Sequence, residues 1–325
     1  MHRTVGQASF LDSMLDAEGF GHNPDLEALG AAIDWRPLEH LVSRLYARGE
    51  GRPSYPPLIM VKALLVQQWY NVSDPRLEFL LKDSLSMRRF VGLGLQDGTP
   101  DHSTISRFRS QLAKHELDGK LFDEIGRQLD ARGFVLRKGT IIDATIVEAA
   151  VRKPPLKDGE GARSKTDPDA RWTRKNGRSH FGYKAHVGMD QDSGVIRTRS
   201  FTGANAGDSG QAEALIAGDE KAVYADRGYE NKQRRRALRA RGVKDRIMHR
   251  ADKHRPELPS RMKLRNRLIS KVRAQVERVF AVFKHGWGYR RVRYIGLRRN
   301  EAHFNLLCLA FNIQRMAKLA RMKPA

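Results

Sequence analysis

Apolar residues recur through the first 137 positions at helical spacing. After Ser54, the positions Leu58, Val61, Leu64, Leu65, Gln68 and Trp69 fall about 3.6 residues apart and predict a helix with one core face. The same pattern predicts helices over Leu26 to Ile33, Trp35 to Tyr46, Pro57 to Tyr70, Asp74 to Lys82 and Ser84 to Val91, then one long helix from Ser103 to Ala131. Start signals agree with these limits. Asp74-Pro75 reads as an N-cap followed by a first-turn proline, and Pro100-Asp101-His102-Ser103 opens the next helix in the same style. His102 is read there as a loop or cap residue.

From Lys138 the pattern becomes that of strands: Thr140 to Asp143, Gly182 to Met189 and Val195 to Thr202. The last two are joined by Asp190-Gln191-Asp192-Ser193-Gly194, a turn composition that accounts for both aspartates without a metal. Between the first two strands, Val151 to Ser179 is rich in Lys, Arg, Gly, Pro and Asp, and reads as a mobile loop. A helix over Asp208 to Ala217, with Asp208 and Ser209 as capping residues, precedes a short strand ending at Asp226. A basic helix over Asn231 to Arg241 and a long helix from about Lys263 follow. Asn300 caps a final helix in which Phe304, Leu307, Ala310, Phe311 and Met316 pack. The order predicts an α/β (mixed) architecture: a helical domain over residues 1–137, and a mixed sheet flanked by helices over 138–325.

Charge separates the same two regions. The 325 residues hold 60 Lys+Arg against 37 Asp+Glu, a formal net charge of +23. Residues 1–137 carry 17 basic and 18 acidic side chains, so the excess lies beyond them; Arg227 to Arg299 alone holds 25 basic and 5 acidic residues. A field of that sign attracts a polyanion. No basic amphipathic helix with a wide apolar face points to a lipid surface, and no stretch reads as a signal peptide or a bilayer span. Cys308 is the single cysteine, which excludes an intrachain disulfide and a cysteine-rich zinc site. A bacterial-type cytoplasm fits these features.

Three carboxylates carry the candidate chemistry. Asp143 ends the run Gly139-Thr140-Ile141-Ile142, Asp226 ends Ala222-Val223-Tyr224-Ala225, and Glu277 lies within the long helix. At about 100° per residue, Ile269, Val272, Val276, Val279, Phe280 and Phe283 form an apolar stripe. Ser270, Arg273, Glu277 and Lys284 form a polar stripe beside it, within about 60° of arc. An isolated Arg-x-x-x-Glu pair is ordinarily a solvated salt bridge. Two strand-end aspartates and a strongly positive setting favour a metal site instead. Mg²⁺ takes hard oxygen ligands, and two such ions about 4 Å apart stabilise the attacking and leaving oxygens of a phosphodiester. Downstream, Trp287, Tyr289 and Tyr294 alternate with Arg290, Arg291, Arg293, Arg298 and Arg299. That pattern suits stacking on splayed bases and a basic cover over the core equally.

The sequence resembles the DDE transposases of bacterial insertion sequences, the insertion sequence 5 group and its insertion sequence 4 relatives. The family's helix motif, Tyr-x2-Arg-x3-Glu-x6-Lys, is matched at Arg273, Glu277 and Lys284, with Ser270 in the tyrosine position. The resemblance extends through Gly51-Arg52-Pro53-Ser54-Tyr55-Pro56-Pro57, Leu85 to Gly92, Pro100 to Arg109, Ile142-Asp143-Ala144-Thr145 and Asp226-Arg227-Gly228-Tyr229. It implies an RNase H-like catalytic domain behind an all-helical N-terminal domain that helps recognise terminal inverted repeats. It also implies two Mg²⁺ (or Mn²⁺) on Asp143, Asp226 and Glu277, and a working complex that is at least a homodimer on DNA. Activated water cuts the element's end, and the freed 3′-hydroxyl attacks target DNA. No covalent protein–DNA intermediate is implied, so Tyr229 and Tyr289 need not be nucleophiles. DNA contacts are expected from Ser270, Arg273, Lys284, Arg227, Arg290, Arg291, Arg107 and Arg109. The alternatives are a non-catalytic DNA-binding protein of the same descent and a metal-dependent nuclease that cuts without joining.

Overall fold

A computed structural model describes residues 2–7, 9–46, 53–157, 160–251 and 256–322; Gly51 and Arg52 of the entry motif lie outside them. The chain divides into two compact units, Met1–Arg132 with Asn305–Ala325, and Gly133–Phe304.

Eight helices open the first unit: α1 (Phe10–Ala17), α2 (Pro24–Ala31), α3 (Trp35–Val42), α4 (Pro57–Tyr70), α5 (Asp74–Asp83), α6 (Leu85–Val91), α7 (His102–Lys114) and α8 (Leu117–Ala131). Helix α4 is the centre of this unit, with Val61, Ala63, Leu64, Leu65 and Val66 wholly buried. The single helix expected over Ser103 to Ala131 is two, because Glu116 adopts a left-handed conformation (φ 55°) and turns the chain between α7 and α8. Ser73, not Asp74, caps α5, its hydroxyl accepting from the Arg76 amide. Asp74 lies one residue inside, where its carboxylate pairs with Arg109.

The second unit is built on a six-stranded mixed sheet comprising β1 (Thr140–Glu148), β4 (Arg171–Lys175), β5 (Arg178–Asp190), β6 (Ile196–Gly203), β7 (Ala222–Ala225) and β8 (Lys244–Ile247). A separate small hairpin joins β2 (Leu156–Lys157) to β3 (Glu160–Gly161). Strand β1 is central, antiparallel to β5 on one side and parallel to β7 on the other, with β8 parallel to β7 at the edge. Strand β5 is long enough for two partners on one edge: β4 pairs with its first part and β6 with the remainder. Two expectations change here. The strand begun at Thr140 runs through Asp143 to Glu148, since Thr145, Ile146 and Val147 continue the β-branched run. The segment read as a loop over Val151 to Ser179 contains β4, closed onto β5 by a two-residue Asn176-Gly177 turn with both φ values positive (51° and 76°).

Side chains alternate across a strand, so Ile142 and Asp143 face opposite ways. Ile142 joins a buried cluster with Ala212 and Leu215 of α9 (Asp208–Leu215), Val223, Ala225, Tyr229 and Leu238 of α10 (Lys232–Ala240). Asp143 faces α11 (Ser260–Ala281), which packs on β1 and β7 and has Val276, Val279 and Phe280 buried. The last helix, α12 (Leu297–Met322), is divided between the units at Asn305. Asp190 of the β5–β6 turn is structural: its buried carboxylate accepts from the amides of Leu136 and Arg137 and from the Ser193 hydroxyl.

Candidate active site

The parallel pairing of β1 with β7 sets Thr140 against Val223 and Ile141 against Tyr224. Continuing that register by two positions brings Asp143 level with Asp226. Asp226 leaves the sheet at the end of β7 and caps the short 3-10 turn Arg227–Tyr229, its Oδ1 accepting from the Gly228 amide at 2.8 Å. Asp143 is held within the ladder instead, where Oδ1 accepts from the Ala144 amide at 2.9 Å and Oδ2 meets Arg273 Nη2 of α11 at 3.1 Å. Burial raises the pKa of Asp143 above the ordinary carboxylate range, and the neighbouring charge of Asp226 adds to that rise; Arg273 opposes both.

The structure brings Asp143, Asp226 and Arg273 together, but leaves Glu277 apart. Glu277 lies one turn further along α11, exposed, its side chain in no ion pair or hydrogen bond among the described residues. No group of three His, Cys, Asp or Glu side chains among the described residues is placed to hold a metal ion. The expected three-carboxylate ligand set is therefore not assembled in this geometry, where Arg273 is the positive charge on Asp143. The two aspartates still suit a hard cation: both are oxygen donors, their charges oppose each other, and one or two carboxylates are the usual protein share of a Mg²⁺ shell.

Lys284 does not continue α11. It lies in a π-helical turn, Val282–Gly286, which takes it out of the simple 100° projection. It is half-buried, and its pKa is lowered first by burial and then by the charges of Lys175 and Arg290. Lys175, at the end of β4, also acts on Asp143. Nothing in the sequence pointed to Lys175, because its place follows from the β4–β5 hairpin, which was read as a loop. Ser270 is exposed with Oγ 3.9 Å from the sulfur of Met248, and the Arg273 guanidinium touches the same sulfur at 3.8 Å.

The remaining expected DNA contacts divide by exposure. Arg227, Arg290 and Arg291 are exposed, and Arg290 bonds His285 Nδ1 at 2.8 Å. The backbone at Arg290 to Val292 hydrogen-bonds Glu148, so these arginines flank the far end of β1. In the helical unit Arg107 is exposed, whereas Arg109 is 5% exposed and bound to Asp74 and Gln67. Arg109 is thus a buried structural residue and not a phosphate contact. Base stacking is likewise closed to Trp287 and Tyr289, which are buried and stack on Phe283 and Phe304.

Beside the aspartates sit two residues that sequence reasoning gave no part in the site. Asp208, read as a cap, is the first residue of α9; Gly207 takes the cap position, and the Asp208 carboxylate is bound by Lys184. Tyr229 is fully buried.

A mixed sheet presenting two carboxylates in a cationic setting suits cation-assisted chemistry on a polyanion. Residues 136–313 match the family described as "Transposase DDE domain", and residues 15–111 match "Transposase domain (DUF772)". No solved structure was found to match the chain. The chain belongs to the DDE transposases of insertion-sequence type, enzymes that cleave DNA phosphodiesters and transfer the strands. No helix among the described residues is long and apolar enough to cross a membrane.

Proposed function

We propose that this transposase recognises the terminal inverted repeats of its element, cuts at their ends and joins the freed strands to target DNA, using Asp143, Asp226 and Glu277. The observation that supports the reading is the parallel register of β1 and β7, which carries Asp143 level with Asp226 just beyond the end of β7, with Arg273 of α11 on Asp143. Setting aside the edge strand β4, the order of three antiparallel strands (β1, β5, β6) followed by two parallel to the first (β7, β8) supports an RNase H-like catalytic domain.

Asp143 and Asp226 would hold Mg²⁺ or Mn²⁺, and Glu277, which stands apart from them in the free protein, would join as the third carboxylate. When bound, the cation lowers the pKa of water and stabilises charge on the phosphodiester oxygens. The protein's own part is positional. The Gly228 amide fixes the Asp226 carboxylate, and the β-ladder fixes the backbone of Asp143. Arg273 satisfies Asp143 in the free protein and is placed to turn to a phosphate once that carboxylate takes a cation. Lys284, Arg227, Arg290 and Arg291 supply charge for the DNA backbone, and Arg107 does so from the helical unit. Pairing two element ends calls for at least a homodimer on DNA.

The test uses DNA carrying the repeats that flank the reading frame. Asp226→Asn and Glu277→Gln should abolish Mg²⁺-dependent end cleavage while leaving binding of the repeats intact; full cleavage by either variant sinks the assignment. Strand transfer by the wild type separates a transposase from a nuclease that only cuts.

A further inference from the structure

Tyr229 carries a group that its packing does not explain. The ring is fully buried with Ile142, Leu215, Val223, Ala225 and Leu238, a space that phenylalanine would fill equally well. Among the described residues the hydroxyl has no hydrogen-bond partner. Leaving a buried polar group unpaired costs roughly 1–3 kcal/mol, and such groups occur where a functional role maintains them.

The surroundings indicate what that role is. Asp208 and Asp226 approach the preceding residue, Gly228, from two sides: a β-carbon there would lie 3.0 Å from Asp226 Oδ1 and 3.8 Å from Asp208 Oδ2. Asp208 is anchored from behind. Lys184 of β5 donates to its Oδ1 at 3.0 Å and to the Ala206 carbonyl at 2.7 Å. The charges acting on the Tyr229 hydroxyl are those of Asp143, Asp208 and Asp226, opposed by Arg273. The Tyr229 amide donates to the Asp226 carbonyl at 3.2 Å, so the tyrosine leads directly out of the turn that Asp226 caps.

We propose that Tyr229 and Asp208 are positioning residues of the aspartate site. The tyrosine hydroxyl is the donor to a carboxylate of the pair as it gathers a divalent cation, and the Lys184-anchored Asp208 holds the Gly228 turn against Asp226. The inference rests on Asp143 and Asp226 forming the cation-binding cleavage centre. Its logic is that of outer hydrogen bonds on metal ligands, which orient the ligand and typically alter affinity or activity about 10–100-fold.

The experiment takes the full chain with Mn²⁺ alone, measuring bound ion by electron paramagnetic resonance, thermal stability in metal-free buffer, and Mn²⁺-dependent nicking of supercoiled plasmid. Tyr229→Phe is expected to melt at or above the wild-type temperature, to bind Mn²⁺ about 10–100-fold more weakly and to nick correspondingly slowly. Asp208→Asn should shift Mn²⁺ binding in the same direction. Asp226→Asn serves as the reference and should lose both binding and nicking. Wild-type Mn²⁺ affinity in Tyr229→Phe beside a defective Asp226→Asn overturns the inference and leaves the proposed centre standing. Wild-type behaviour of Asp226→Asn overturns the centre itself. A lower melting temperature for Tyr229→Phe also overturns the inference, since the hydroxyl would then be making a structural bond.

Discussion

Arg109 and Arg107 stand two residues apart on one helix and have opposite roles, because exposure decides what an arginine is for. The Arg109 guanidinium is closed in by Asp74 and Gln67, so its truncation strands a buried carboxylate and an amide. Arg109→Ala should lower the stability of the helical unit on the order of 3 kcal/mol in urea unfolding, whereas Arg107→Ala should change it by less than about 0.5 kcal/mol. The sequence shows both as basic residues in one motif and cannot separate them: the partner of Arg109 lies 35 positions earlier, at a distance only folding can close. Asp143 shows the converse. Its charge was legible, and so was the apolar run before it, but taking a charged residue as a strand end concealed the continuation Thr145-Ile146-Val147. A carboxylate in mid-strand is tolerated there because Arg273 meets it from α11.

At the level of elements, helices with clear caps were legible and their junctions less so. The break between α7 and α8 depends on one left-handed residue, and glutamate is not a type that signals it. Glu116→Gly should relieve that conformation and raise thermal stability by about 0.5–1 kcal/mol, a gain visible as a higher melting temperature. Strand β5 carries a buried titration site in His186, whose Nε2 lies 3.0 Å from Thr202 Oγ1. Burial, the largest influence, drives its pKa down to about 4; Asp208 opposes the shift and Lys184 adds to it. The unfolded ring takes up a proton near pH 6.5 while the folded ring does not, so stability is full above that pH and falls as the pH drops towards about 4. The loss is on the order of 3 kcal/mol. His186→Gln should flatten the melting-temperature profile across this window. The β4–β5 hairpin escaped sequence reading because its basic composition resembles that of a loop, although Asn176-Gly177 is a recognisable turn signal.

For the whole molecule, charge distribution was the most legible property, since it needs only counting. The net +23 predicts DNA binding dominated by phosphate contacts. Raising salt from about 50 to about 200 mM should weaken binding of any duplex by roughly 10³–10⁵-fold if six to ten phosphates are engaged. A fluorescence anisotropy titration over that range checks the slope, and a flat response removes the electrostatic account. The pairing of β1 with β7 has another outcome, which concerns synthesis. Asp143 and Asp226 are separated by 83 residues, and the strand that sets them level is among the last of the sheet to be translated. A nascent or prematurely terminated chain ending before Ala222 has its first aspartate and much of its sheet, yet no partner strand on that edge. On the proposed assignment of the chemistry to Asp143 and Asp226, such a fragment would not cut DNA, and competence would arrive only once the catalytic unit is nearly complete.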